Sequence, residues 1–148
     1  MGTQTILMVE DSDDDFFAAQ RTFQKAGLNN PIRRCATGDE AVDYLFRRGA
    51  FSDAANAPLP GIVLLDLNLP GLDGRAVLRQ VKADPSLRRI PVIVLTTSNA
   101  EKDVEQCYAD GANSYVQKPV DIHGFVLAIC RLKDFWFEIA ILPKDAES

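Results

Sequence analysis

The sequence predicts an α/β protein whose parallel sheet is covered by helices on both faces. Short, nearly continuous apolar runs alternate with longer stretches whose apolar residues recur at helical spacing, and the alternation repeats five times. The apolar runs also lack the in-out pattern of a sheet with one wet face. With 148 residues, 47% apolar and 25% charged, the chain has the size and composition of one ordinary globular domain with a substantial core.

The first apolar run is TILMV at 5–9; a helix follows over 13–26, where Phe16, Phe17, Ala19, Phe23 and Ala26 share a helical period and Gly27 terminates it. Residues 31–35 form a weaker strand, polar and led by Pro31, which suits a sheet edge. Helix 39–48 (DEAVDYLFRR) begins with Asp39 and ends in Arg47 and Arg48, as the helix dipole favours. Residues 49–60 hold glycine, asparagine and two prolines and read as a rather long loop. The buried-type run 62–65 leads into Asp66, turn formers fill 68–74, and a helix covers 75–83. PVIVL at 91–95, a helix at 101–110 closed by Gly111, a strand at 114–117 and a helix from 121 complete the series.

Charge is unevenly placed. Lys and Arg total 16 against 21 acids, a formal net charge of −5, and Glu10, Asp11, Asp13, Asp14 and Asp15 alone account for that surplus. The remaining charge is balanced, so no broad basic face for nucleic acid exists. No apolar run approaches the ~20 residues of a membrane helix, and no signal-peptide pattern opens the chain, so a cytoplasmic protein is expected. Cys35, Cys107 and Cys130 are odd in number and lack CxxC spacing, which fits reduced packing residues. His123 is the only histidine, which excludes multi-histidine metal sites.

In parallel α/β folds function gathers at the carboxyl ends of the strands. Here those ends carry Glu10 and Asp11, then Asp66 and Asn68, then Thr96 and Thr97, then Lys118. Crowded carboxylates need a neutralising cation, and oxygen donors without sulfur or imidazole select Mg²⁺ or a similar hard ion.

These residues carry a resemblance. The acidic pair Glu10-Asp11, the segment LLDLNLPGLDG at 64–74, Thr96 after PVIVL, and ADGANSY at 109–115 leading to Lys118-Pro119 resemble, in order and spacing, the response-regulator receiver domains of two-component signalling. The match runs over about 5–132, nearly the whole chain. It implies the flavodoxin-like fold with strand order 2-1-3-4-5. It further implies that Asp66 accepts a phosphoryl group from a phosphohistidine of a sensor histidine kinase. Asp11 and Asp66 would bind Mg²⁺ directly, with the Asn68 carbonyl as a third ligand and Glu10 acting through water. Lys118 and Thr96 would contact the phosphoryl group, Tyr115 would change rotamer as the switch, and the Lys118–Pro119 peptide would be cis. Such a protein catalyses its own phosphorylation and dephosphorylation and turns over no external substrate.

Glu10 stands where aspartate is common, and Thr97 stands where a small residue is common. Thr96, rather than Thr97, is assigned from the family's separation to Lys118, which is 22 residues here. A calcium loop at 11–22 fails because position 6 is Phe16 and position 12 is Thr22. Asp13, Asp14 and Asp15 are expected to cap the first helix and fill its first turn. A haloacid-dehalogenase-type phosphatase needs a second aspartate two residues past the nucleophile, where Asn68 stands; a flavodoxin-type carrier needs a phosphate-cradling first loop, which the acids preclude. A phosphorelay intermediate or phosphate sink is the remaining alternative.

The receiver is expected to span 1–134, with 135–148 as a C-terminal extension and no room for an output domain, hence a stand-alone regulator acting on an unknown downstream protein. Phe135, Trp136, Phe137, Ile139, Ile141 and Leu142 make that extension apolar, and a homodimer built through it is expected. The loop 49–60 and this extension are similar to stand-alone regulators that serve bacterial phytochrome histidine kinases.

Overall fold

The computed structural model describes residues 4–143. Five parallel strands lie in the order β2-β1-β3-β4-β5, which is the order the resemblance implied. They are β1 (Thr5–Val9), β2 (Ile32–Cys35), β3 (Pro60–Leu65), β4 (Val92–Thr96) and β5 (Ser114–Gln117). Helices α1 (Asp13–Lys25), α2 (Gly38–Phe46), α3 (Gly74–Ala83), α4 (Glu101–Ala109) and α5 (Ile122–Lys133) cover the two faces.

Side chains of a strand point alternately to opposite faces, and this explains the unbroken apolar runs. Ile6 and Met8 of β1, Ile62 and Leu64 of β3, and Ile93 and Leu95 of β4 pack with Phe16, Ala19 and Phe23 of α1 and Phe125 and Ile129 of α5. The intervening residues Leu7, Val9, Val63, Leu65, Val92 and Val94 pack on the opposite side with Val42 and Leu45 of α2, Val77 and Leu78 of α3 and Cys107 of α4. The polar strand β2 is an edge strand, as its sequence suggested.

Helix ends differ in detail from the sequence reading. Ser12, not an aspartate, caps α1 by accepting the Asp15 N–H at 3.2 Å. Helix α2 stops at Phe46, and Arg47 turns left-handed at φ 55°, so the two arginines lie past the last turn rather than in it. Within 49–60 a short 3₁₀ turn forms at Gly49–Phe51, and Phe51 packs against the Tyr44 ring at 5.2 Å. Packing of a neighbouring aromatic ring thus ends what composition alone showed as loop.

After α5 the chain continues as a π-helical turn, Asp134–Ile139. Trp136 and Phe137 fold back onto their own domain, and the Phe137 ring meets Phe23 edge-on at 6.4 Å. Pro143 is tied to the start of β1 by a hydrogen bond from the Gln4 side-chain amide at 2.8 Å. Phe135 and Ile141 point outward, at 50% and 97% exposed, and Leu142 is half-buried. Residues 144–148 and the side chain of Ile139 lie outside the described part of the extension.

Two glycines allow the chain to close around the end of β3. A Cβ on Gly74 would lie 2.7 Å from the Leu67 Cα, and one on Gly38 would lie 2.7 Å from the Leu72 carbonyl carbon. Both neighbours are backbone and cannot swing away. Gly74→Ala is expected to destabilise the fold by about 1–3 kcal/mol in urea unfolding, the usual cost of overpacking.

Candidate functional site

Because all five strands are parallel, their carboxyl ends share one rim. Val9 ends β1, Leu65 ends β3, Thr96 ends β4 and Gln117 ends β5, so Glu10, Asp66, Thr96 and Lys118 stand side by side. Backbone hydrogen bonds fix the alignment: the Asp66 N–H donates to Val9 O at 3.0 Å and the Glu10 N–H to Cys35 O at 3.0 Å. The Lys118 N–H donates to Thr96 O.

The carboxylates of Glu10, Asp11 and Asp66 converge, with one oxygen from each within 4.8 Å of the others. Glu10 and Asp66 are buried at 1% and 7% exposure, whereas Asp11 faces solvent. Burial pushes the Glu10 carboxyl up to about 7, against the opposing pull of Lys118, and the nearby Asp66 charge adds to the rise. Asp66 is oriented from its own loop, since Oδ1 accepts the Asn68 N–H at 3.1 Å.

Lys118 is 6% exposed and its ammonium meets three carboxylates: Glu10 Oε1 at 2.6 Å, Asp15 Oδ2 at 3.0 Å and Asp66 Oδ2 at 3.4 Å. Burial works against its charge, but the hydrogen bonds with Glu10 and Asp15 outweigh it and hold the ammonium above its ordinary pKa. The Lys118–Pro119 peptide is trans, since no cis bond occurs among the described residues. The expected cis bond is therefore corrected; the long lysine side chain reaches all three acids from a trans peptide.

Thr96 is fully buried, and its hydroxyl accepts a hydrogen bond from the Asn68 amide at 3.5 Å. Thr97 and Asn68 are exposed. Tyr115 is half-buried; its hydroxyl donates to the Ser98 carbonyl at 2.9 Å, which ties the ring to the loop after β4. Ser98 in turn donates to Asp103 of α4, and Asp103 receives Arg75 of α3 in a two-pronged pair at 2.8 and 3.0 Å. That chain of contacts links the turn following Asp66 to the segment that holds Tyr115.

Sequence reading missed three participants. Asp15, expected only as a first-turn acid, is turned inward onto Lys118. Arg34 of β2 donates to Glu10 O at 3.0 Å, pairs with Asp13 at 2.7 Å and lies over the Phe16 ring, so it braces the acidic loop. Asp39 of α2 accepts the Leu72 N–H at 3.0 Å and steadies the turn after Asp66. The first signal available in sequence was the alternation that packs α1 beside the rim; nothing in a linear pattern pairs residues 15 and 118. His123 is exposed on α5.

The donor set fits a hard divalent cation. It is all oxygen, three carboxylates approach within one ion's coordination sphere, and Lys118 is the only ammonium recorded against them among the described residues. Among those residues no helix is long and apolar enough to cross a membrane.

Comparison with known proteins gives consistent matches. The model of the response regulator receiver domain matches residues 6–129. Response regulator Rcp1 of Synechocystis is 36% identical over 140 residues, covering 95% of this chain and 93% of the relative. The solved structure of Rcp1 with Mn²⁺ bound superposes with a TM-score of 0.90 over 95% of this chain and 99% of the other, at 36% identity. The phosphorylated cyanobacterial phytochrome response regulator RcpA also superposes at 0.90, with 36% identity over 97% of this chain and 100% of the other.

Replacing Lys118 by Met leaves Glu10 and Asp66 buried against each other without compensation. The metal-free variant is expected to lose about 3 kcal/mol in chemical denaturation, and added Mg²⁺ should recover a larger share of stability in it than in the wild type.

Proposed function

The chain belongs to the response-regulator receiver family, and from that premise we propose that Asp66 takes a phosphoryl group from a phosphohistidine of a sensor histidine kinase, with Mg²⁺ bound. The resulting change of conformation is then read by a protein partner. The observation that carries this reading is the buried Asp66 carboxylate, oriented by the Asn68 N–H and facing Lys118 beside two further acids.

In the transfer an Asp66 oxygen attacks phosphorus as the P–N bond to the kinase imidazole breaks, and the electron pair leaves on that nitrogen. Glu10, Asp11 and Asp66, with the Asn68 carbonyl, would hold the cation, which when bound supplies positive charge against the phosphoryl oxygens. Lys118, whose ammonium lies 3.4 Å from Asp66 Oδ2, supplies a second positive contact. The Thr96 hydroxyl exchanges its long contact with Asn68 for one to the phosphoryl group. Tyr115 follows by giving up its hydrogen bond to Ser98, a neutral contact worth about 1 kcal/mol, small enough for a switch to overcome.

Kinship with Rcp1 and with the phytochrome regulator RcpA supports a phytochrome-type sensor kinase as the phosphoryl donor. The outward Phe135, Ile141 and the half-buried Leu142 support a homodimer face, while Trp136 and Phe137 complete the domain's own core.

With Mg²⁺ and acetyl phosphate, the wild type should become phosphorylated, seen as a retarded band on a phosphate-affinity gel, and Asp66→Asn should not. An equal response in Asp66→Asn would remove the acceptor assignment. For the dimer, Phe135→Asp combined with Ile141→Asp should halve the mass found by sedimentation equilibrium with the fold retained by circular dichroism; an unchanged mass would place any interface elsewhere.

A further inference from the structure

We propose that Asp15 is a positioning residue that draws Lys118 away from Asp66 and so limits how tightly the site holds a phosphoryl group. This rests on Asp66 being the phosphoryl acceptor. A lysine ammonium has three N–H donors, and here its three partners are all carboxylates. The contacts are unequal: 2.6 Å to Glu10, 3.0 Å to Asp15 and 3.4 Å to Asp66. Lys118 therefore sits on the Glu10 and Asp15 side, and the acceptor holds its weakest contact.

The two competing acids respond differently to a bound cation. Glu10 belongs to the converging set of Glu10, Asp11 and Asp66, so a divalent ion there shares its charge and loosens its hold on Lys118. Asp15 lies outside that set and keeps its charge for the ammonium. It is also held firmly: its own N–H donates to the Ser12 cap at 3.2 Å in the first turn of α1, and α1 packs along α5. Asp15 is thus the acid whose pull on Lys118 outlasts metal binding. Its side chain is 30% exposed, which keeps the effect moderate. When a phosphoryl group arrives on Asp66, Lys118 must turn from Asp15 toward the new oxygens, and the lost ion pair subtracts from the grip.

Beryllofluoride is the probe, titrated into the full chain at saturating Mg²⁺ and followed by fluorine NMR. Asp15→Asn should bind it about 3- to 10-fold more tightly than the wild type, and Asp15→Glu should stay close to the wild type. In a Lys118→Met background the Asp15→Asn gain should vanish, because the effect passes through the ammonium. Unchanged or weaker binding by Asp15→Asn overturns the proposal, as does an equal gain without Lys118. If Lys118→Met binds too weakly to titrate, the nitrogen shift of Lys118 Nζ decides. It should differ between wild type and Asp15→Asn before ligand and converge after it; coincident shifts before ligand overturn the proposal. A wild type that binds no beryllofluoride defeats the Asp66 reading and this proposal together, whereas a wild type that binds while Asp15→Asn matches it defeats this proposal alone.

Discussion

One ammonium among three carboxylates holds the functional rim together. Lys118 comes from the end of β5, Glu10 from the end of β1, Asp15 from α1 and Asp66 from the end of β3. Taking that many acids out of water is costly unless a positive group faces them. A single lysine cannot balance all of them, and the shortfall is what makes the cluster receptive to a divalent ion. The same shortfall leaves Lys118 shared, so its position depends on which negative groups are present. Stability and responsiveness in this rim are two consequences of one charge imbalance.

The scaffold around the rim is closely packed where Asp66 is held and joined by polar contacts around Tyr115. Gly74 and Gly38 let backbone approach backbone around the turn 67–73, and Asp39 binds the Leu72 N–H, so the turn after Asp66 is clamped from α2 and α3. On the other side, Tyr115 reaches the loop after β4 through a single hydrogen bond to Ser98, and the Ser98, Asp103 and Arg75 contacts continue it to α3. Polar contacts of this kind exchange at modest cost, whereas the interleaved apolar layers on both faces of the sheet do not. The apolar C-terminal segment divides along the same lines. Trp136 and Phe137 serve the core beneath α1 and α5, and Phe135 and Ile141 remain outside it.

Much of the fold was legible because it follows from local periodicity. Unbroken apolar strands require two covered faces, and the alternation of Ile6 and Met8 with Leu7 and Val9 between the two cores is that requirement met. The weak, proline-led β2 lies at the edge, where a polar strand costs least. Boundaries were less legible: α2 ends at Phe46, and Arg47 leaves the helix in a left-handed turn beside the packed loop 49–60.

For the site, residue type and position relative to strand ends were enough to bring Glu10, Asp11, Asp66, Thr96 and Lys118 to one rim, because parallel strands place their carboxyl ends together. The sequence by itself determined the sheet, its two cores and the chemistry available at that edge, since each rests on patterns a few residues long. Only the tertiary structure decided that Asp15 turns inward to Lys118, that Arg34 braces the acidic loop, and that Trp136 and Phe137 close the domain's own core. Those outcomes depend on through-space charge and packing between segments as far apart as residues 15 and 118, a distance over which no sequence period reaches.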